Sequence, residues 1–420
     1  MAPPVLNPLR REPLESKKVN TMNSSYSLTP SSATVGLNVR RLSFGLRQIG
    51  FGILSTLCLG LTARLAVADD YRDHRDHHGR YLQTNLVSDI SGAAAVTDPN
   101  LVNPWGLSRS ATSPWWVADN GSGLSTLYNG AGAIQALVVT IPNAPGATGP
   151  SAPTGTVSNS VATDFLVAPG KPAHFIFDSE NGIISAWNSG TAAVIKVDNS
   201  ATSVYKGMTL AQNNGVTLLY TADFETGKID VFDTNFAPVD LGAGAFQDKR
   251  LPANYTPFNV QSVGNSIYVA FAERQGNSII NEQDGTGLGR VDVFSPAGVL
   301  QMRLQHGPWF NAPWGMVLTP ANFGEASNRI LVGNFGSGLI ATFDPANGEF
   351  RGFLRGTNGF PVAIDGLWTL AFGNGANAGP ATTLFFSAGI FGENHGLFGT
   401  LTPVAATDSD DNSGGDDDSP

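Results

Sequence analysis

From Asn311 to Asp344 the chain carries three short apolar runs, Gly315 to Thr319, Ile330 to Val332 and Leu339 to Phe343, each closed by a polar or glycine-bearing turn. Runs this short, with no recurrence of apolar positions at helical spacing, read as strands. The same pattern returns about six times along the chain. The first unit reads as Trp105–Leu107, Trp115–Ala118, Ser125–Tyr128 and Ala136–Ile141, followed by a Pro/Gly/Ala-rich loop, Pro142 to Pro153. The second spans Thr163 to Val197, the third opens at Tyr205-Lys206-Gly207, the fourth at Pro257-Phe258-Asn259, and the sixth at Asp365-Gly366-Leu367-Trp368. With Trp105, Phe165, Gly207, Asn259, Trp314 and Trp368 taken as equivalent, the steps are 60, 42, 52, 55 and 54 residues. A multi-strand repeat near 50 residues predicts a β-propeller, here an all-β, six-bladed one. A four-stranded sheet cannot bury both faces alone; stacking the sheets radially covers them. The sixth unit shows three strands, so the first strand, Tyr81 to Asp89, is expected to add its outer strand and close the ring, which removes an open sheet edge.

Composition supports this and bounds the ends. Gly 49 and Pro 26 accompany 41% hydrophobic residues, enough for a core rather than disorder. Residues 1–68 carry eight Lys/Arg and two acids, +6, so the remaining chain holds -10 - 6 = -16. An acidic body argues against nucleic acid or an anionic membrane as a partner, because phosphate contacts need Lys and Arg. Arg40, Arg41 and Arg47 precede an uncharged stretch, Gln48 to Ala63, and Ala66-Val67-Ala68 has the form of a cleavage box. Residues 1–68 are therefore read as a signal peptide with a long leader, starting at Met1 or Met22, which makes the protein secreted or periplasmic. Residues 69–80 read as a charged linker with His74, His77 and His78, residues 81–404 as the propeller, and 405–420 as a disordered acidic tail. The lone cysteine, Cys58, falls in the leader, so the mature chain has no disulfide and no thiol chemistry. No membrane span is expected in the mature chain, which is read as a monomer.

TNLVSD, NPWGLS, FIFDSENGIISAWN, VYKGMTLA, LYTADFETGKIDVFDTNF, LPANYTPFNVQ, NAPWGMVLTPANFG, ILVGNFGSGLIATFD, IDGLWTLAFGNG and ENHGLFGTL together cover roughly residues 84–402. On these stretches the chain resembles an uncharacterised group of secreted bacterial proteins, some with a PEP-CTERM sorting signal; the Asp-rich tail here has no such motif. More distantly the units resemble NHL repeats and the six-bladed gluconolactonase and senescence-marker propellers.

The candidate chemistry lies just before the innermost strands, where Asn103, Asp164, Asn259, Asn311 and Asp365 recur, with Lys206 as the exception. Innermost strands line a propeller's channel, so these residues are expected at one mouth. Oxygens of this kind suit Ca²⁺ or another divalent cation, which takes about 6–8 oxygen ligands. Asp164, Asn259, Asn311 and Asp365 are the metal candidates; the competing reading is that they cap turns by bonding backbone amides. The gluconolactonase resemblance implies a metal at such a mouth and a lactone or ester hydrolase there, with Asp164 or Asp365 as base on water. Asn103 stands where that family has a glutamate. Asp119, Asp178, Asp223 and Asn334, ending the second strands, are read as structural ties to the following turn. Trp105, Trp314 and Trp368 are read as packing between blades, with ligand stacking in the channel as the alternative. Glu393-Asn394-His395-Gly396 reads as a loop, and His174 and His306 are isolated. The leading expectation is an extracytoplasmic binding or interaction module for a protein, glycan or small molecule. The hydrolase is the alternative and a structural envelope protein the second alternative.

Overall fold

The computed structural model describes residues 79–404, and these form a six-bladed β-propeller. The expected leader, Cys58, the three linker histidines and the acidic tail lie outside the described residues. Blade one is Pro104–Ser108, Trp115–Asp119, Leu124–Tyr128 and Val139–Thr140, from channel to rim. Blade two is Pro153–Ser158, Phe175–Ser179, Ile183–Trp187 and Val194–Asp198. Blade three has three strands, Tyr205–Asn213, Val216–Asp223 and Lys228–Phe232. Blade four is Tyr255–Val263, Ser266–Glu273, Arg290–Phe294 and Leu300–Arg303, and blade five Pro313–Leu318, Ile330–Asn334, Ile340–Phe343 and Phe350–Phe353. Blade six is Leu367–Phe372, Leu384–Ala388 and Leu397–Val404, completed by Arg80–Ser88.

That closing strand runs antiparallel to Leu397–Val404, with Tyr81 opposite Pro403 and Ser88 opposite Leu397. Its Tyr81 hydroxyl also reaches blade five, donating to Phe323 O (2.7 Å) and accepting from Ala326 N (3.0 Å). Burial pushes this phenol up to about 12, so it stays a neutral donor.

The core is divided as radial stacking requires. Six apolar clusters each join two neighbouring blades, for instance Leu331 and Ile340 of blade five with Leu370 and Phe386 of blade six. A seventh gathers residues of the innermost strands on the axis: Trp105, Phe258, Trp314 and Trp368, with Phe224 and others.

The innermost strand of blade two is a correction to the sequence reading. On sequence the loop ends at Pro153 and the second unit opens at Thr163, which leaves 154–158 in no strand. In the structure Pro153–Ser158 pairs with Phe175–Ser179, while Leu166–Ala168 and Lys171–Pro172 make a small separate hairpin. The strand is small and polar because its neighbours leave no room. A Cβ on Gly155 would come 2.5 Å from Met208 N of blade three. The Thr154 hydroxyl is taken up by Asp178 Oδ1 and Tyr205 O, both at 2.9 Å.

With that strand in place the six blades share one register. Each innermost strand carries a bulge at the same point, at Trp105-Gly106, Thr154-Gly155, Lys206-Gly207, Phe258, Trp314-Gly315 and Trp368-Thr369. From Trp105, Thr154, Lys206, Phe258, Trp314 and Trp368 the steps become 49, 52, 52, 56 and 54 residues. A bulge breaks the strand's alternation and re-aims a side chain; here it turns bulky side chains inward. The residue after each is Gly at 106, 155, 207 and 315, where neighbouring strands touch. At the other two places the side chain bridges the gap. Asn259 Nδ2 donates to Trp314 O (2.8 Å), and Thr369 Oγ1 donates to Trp105 O (2.6 Å).

Candidate functional site at the channel mouth

The bulges plug the channel. Trp105 stacks on Trp368 at 3.6 Å between ring centroids, and Phe335 stacks on the same indole at 4.2 Å. Trp105 of blade one also meets Trp314 of blade five edge-on at 6.1 Å and Phe258 of blade four at 6.4 Å. Blades one and four are not neighbours, so these rings lie at the axis and not between adjacent blades, as the sequence reading had placed them. Their faces are covered by one another, and all are buried except Phe335, which is half-buried.

Above this floor lies the mouth. In every blade the turn after the second strand is bonded back to the segment leading into the first. The bonds are Asn120 N to Asn103 O, Glu180 N to Ala152 O, Phe224 N to Val204 O, Arg274 N to Asn254 O, Phe335 N to Ala312 O and Gly389 N to Gly366 O. Both kinds of segment therefore share one end of the propeller, and their side chains meet there. Lys206 Nζ, on a side chain 3% exposed, bonds Glu180 Oε1 at 2.5 Å and pairs with Glu282 Oε2 at 3.8 Å. Its aromatic surroundings are Trp105, Phe224 and Phe258, with ring centroids 5.0, 5.4 and 5.8 Å away. Glu180 Oε2 accepts from Asn120 Nδ2 (3.0 Å), and Asn120 Oδ1 accepts from Asn103 Nδ2 (3.3 Å). The same Asn103 amide donates to Glu393 Oε2 (2.9 Å), and Asn103 Oδ1 accepts from Trp368 Nε1 (3.1 Å). Asn103 can make these contacts because it sits in a left-handed turn (φ 46°), which asparagine tolerates. The circuit thus joins residues of blades one, two, three, four and six, and rests on an indole.

Burial sets its electrostatics. It would lower the Lys206 ammonium, but the charges of Glu180 and then Glu282 outweigh it and hold the lysine above its ordinary value. Burial pushes Glu282 up to about 7 against the pull of Lys206. Burial also raises Glu393, opposed by the Asn103 amide. The lysine is thus a fixed cation with Glu180 as its main counter-ion, Glu282 is held near the point of taking up a proton, and Glu393 is shifted in the same direction.

The sequence-proposed metal residues are dispersed. Asp164 follows the exit of blade two's innermost strand, at the end opposite the mouth, where its Oδ1 accepts from Thr163 Oγ1 (3.0 Å). Asn259 lies at the bulge; besides bonding Trp314 O, its Oδ1 accepts from Val260 N (2.8 Å). Asn311 and Asp365 do lie at the mouth end. Asn311 Oδ1 accepts from Gly285 N (2.8 Å), and Asp365 Oδ2 accepts from Phe391 N (2.8 Å). Measured from the bulge, Asn311 and Asp365 share one repeat position, three residues before Trp314 and Trp368, whereas Asn259 follows its bulge by one residue and Asp164 lies beyond its strand, so the four do not occupy one ring.

The strand-end acids tie turns. Asp119 Oδ2 accepts from Thr126 N (2.9 Å), Asp223 Oδ1 from Val204 N (3.1 Å), and Asn334 Oδ1 from Asn311 N (2.9 Å). Asp178 serves two blades, accepting from Gly155 N (2.6 Å) and Thr221 Oγ1 (2.6 Å). Glu180, Glu282 and Asn120 were not singled out from the sequence. They come from turns of unequal length, so no repeat spacing marks them. A lysine among glycines and indoles at the repeat's channel position, Tyr205-Lys206-Gly207, was the available signal, since a buried ammonium requires carboxylates near it. On the mouth's rim, His395 Nδ1 lies 2.7 Å from Asp89 Oδ2.

Comparison with known proteins gives kinship without an activity. No family model matches the chain. It is 32% identical over 329 residues to the uncharacterized protein L690 of Acanthamoeba polyphaga mimivirus, covering 75% of this chain and 84% of that protein. The chain belongs to the family of this viral protein. The uncharacterized protein R648 of the same virus is 30% identical over 328 residues, covering 75% of this chain and 78% of R648. These relatives are viral, whereas the resemblance noted on sequence was to secreted bacterial proteins. Among solved structures, a streptogramin B lyase aligns with TM-score 0.45 and 11% identity over 77% of this chain and 97% of the lyase. The WD40 propeller domain of Doa1 aligns with TM-score 0.41 and 10% identity over 76% of this chain and 96% of that domain.

Proposed function

We propose that this protein is a binding module whose ligand docks on the channel mouth. The observation that carries this is the polar circuit Lys206–Glu180–Asn120–Asn103–Glu393, with Glu282, assembled by five blades at one end of an otherwise sealed channel. Glu282 and Glu393 hold raised carboxyls that a donor-rich ligand would relieve, so the ligand class is a small polyol or amine. Placement outside the cytoplasm and a monomeric state belong to the same reading, on the strength of the leader-like residues 1–68 and the acidic body. No helix among the described residues is long and apolar enough to cross a membrane. The test is a thermal-shift screen of polyols, amino sugars and amines against wild type and Glu393→Gln. A hit that vanishes in Glu393→Gln supports the reading; hits that are indifferent to it and to Glu180→Gln place the ligand elsewhere and refute it.

A second reading, hydrolysis of a lactone or ester, draws on Glu282 alone. A carboxyl near 7 is matched to general-base work on water at neutral pH. Turnover of any member of an ester and lactone panel, lost in Glu282→Gln, would favour it over binding.

A further inference from the structure

We infer that Lys206 is the resident cation of the mouth: the site is a cation cage filled by the chain's own ammonium, and it takes no metal in the native protein. The shape of the cage is that of a recognition site for an alkylammonium. Carboxylates of blade two (Glu180, 2.5 Å) and of the long blade-four turn (Glu282, 3.8 Å) supply opposite charge. Three aromatic rings from blades one, three and four supply polarisable walls within 5.8 Å, and Glu393 adds a further negative field. In a cage built for an external ion this centre would be open to solvent; here the occupant is covalently attached and 3% exposed.

The donors do not fit a divalent metal. Among the described residues no group of three or more His, Cys, Asp or Glu is arranged to hold one. Of the residues that sequence offered, Asp164 is at the far end, and Asn259 and Asn311 spend their oxygens on backbone amides. A metal at the carboxylates would also sit beside a fixed ammonium, and like charges in a desolvated site repel strongly.

This inference rests on the mouth's geometry and needs no ligand of the kind proposed above, so an empty ligand screen leaves it standing. The experiment is thermal unfolding of the full chain as wild type and Lys206→Ala. Each is titrated with n-butylammonium chloride, which restores the deleted ammonium on a chain one methylene longer than the three carbons lost, against equal NaCl and against butan-1-ol; wild type is also run with EDTA and with CaCl₂. The expected result is a wild type indifferent to EDTA, Ca²⁺ and butylammonium. Lys206→Ala melts several degrees lower and recovers saturably with butylammonium, but not with NaCl or butanol. The recovery is lost in Lys206→Ala/Glu180→Gln. A folded Lys206→Ala that responds to butylammonium no more than to NaCl overturns the inference, as does a wild-type Ca²⁺ shift abolished by Glu282→Gln. If Lys206→Ala is insoluble, refolding yield from denaturant replaces the melt. A yield raised by butylammonium over NaCl and butanol supports the cage, and an unchanged yield overturns it.

Discussion

Buried carboxyls, Asp292 and Glu282 among them, are expected to make the protein's stability fall, not rise, between mildly acid and neutral pH. Asp292 of blade four is buried, and burial first, then the charge of Asp248, lifts it from 3.8 to about 7. Asp248, from the connection between blades three and four, is held down at about 2 by Arg303, which grips it with two bonds of 2.6 Å. Glu282 at the mouth rises from 4.5 to about 7. For both raised groups the folded state binds a proton that the unfolded chain has already released, so the slope of unfolding free energy with pH is negative. Their contribution is fully present below about pH 4 and is lost as pH rises through 7. Asp248 has the opposite sign: its contribution is present above 3.8 and is lost as pH falls through about 2. At about 1.4 kcal/mol per pH unit, Asp292 accounts for a decline of about 4 kcal/mol and Glu282 for about 3 kcal/mol. The perturbation is Asp292→Asn, which fixes the neutral form without changing shape. Urea unfolding of wild type and variant at pH 4, 5, 6, 7 and 8 reads the slope. The variant is expected to match wild type at pH 4 and to exceed it at pH 8, its decline being smaller by about 4 kcal/mol. Equal slopes in the two proteins, or a wild type that gains stability from pH 5 to 8, would refute the account.

Further predictions concern the axis and the closure. Trp105→Ala empties the centre of the indole plug and should cost about 3–5 kcal/mol by denaturant unfolding, with a loss of the coupled tryptophan fluorescence of Trp368. Asn259→Ala leaves Trp314 O without its side-chain donor and should cost about 1–3 kcal/mol; a neutral result would mean the inner strands need no bridge there. Tyr81→Phe removes the two bonds between the closing strand and blade five, with an expected loss of about 1–3 kcal/mol, and hydrogen exchange should quicken first in Arg80–Ser88.

The number of blades and the closing strand were legible because they rest on burial. Second strands such as Trp115–Asp119 or Ile330–Asn334 are covered on both faces, so apart from the closing Asp119 and Asn334 they are apolar and stand out from the turns. Ring closure was readable for the same reason, from one strand too many at the start and one too few at the end. Blade two's innermost strand failed the test of hydrophobicity. At the channel the limiting quantity is space, and Thr154 and Gly155 answer to it with small size and one hydroxyl bonded twice. The apolar Phe165-Leu166-Val167, eleven residues beyond, then drew the repeat boundary away and produced the uneven steps of 60 and 42.

That misplacement explains why the site was only half visible. Asp164 was taken for a mouth residue because the wrong strand was taken for an innermost one. Asn259 was grouped with Asn311 and Asp365 by residue type, although it follows its bulge by one residue and they precede theirs by three. The bulge leaves no letter in the sequence except the glycine after it, and at Asn259 and Thr369 even that is absent. Lys206 breaks the pattern in the other direction. A channel position that is elsewhere indole, phenyl or threonine becomes a charge, and a buried charge stays charged only if carboxylates come to it. They come from turns whose length the repeat does not constrain: Glu180 two residues beyond Asp178, Glu282 nine beyond Glu273, Glu393 five beyond Ala388. In this propeller the blades fix where a lysine can stand, and the irregular turns, free of any packing register, supply what makes it stable there. Specificity at the mouth is therefore expected to reside in those turns and to change with them while the blades stay the same.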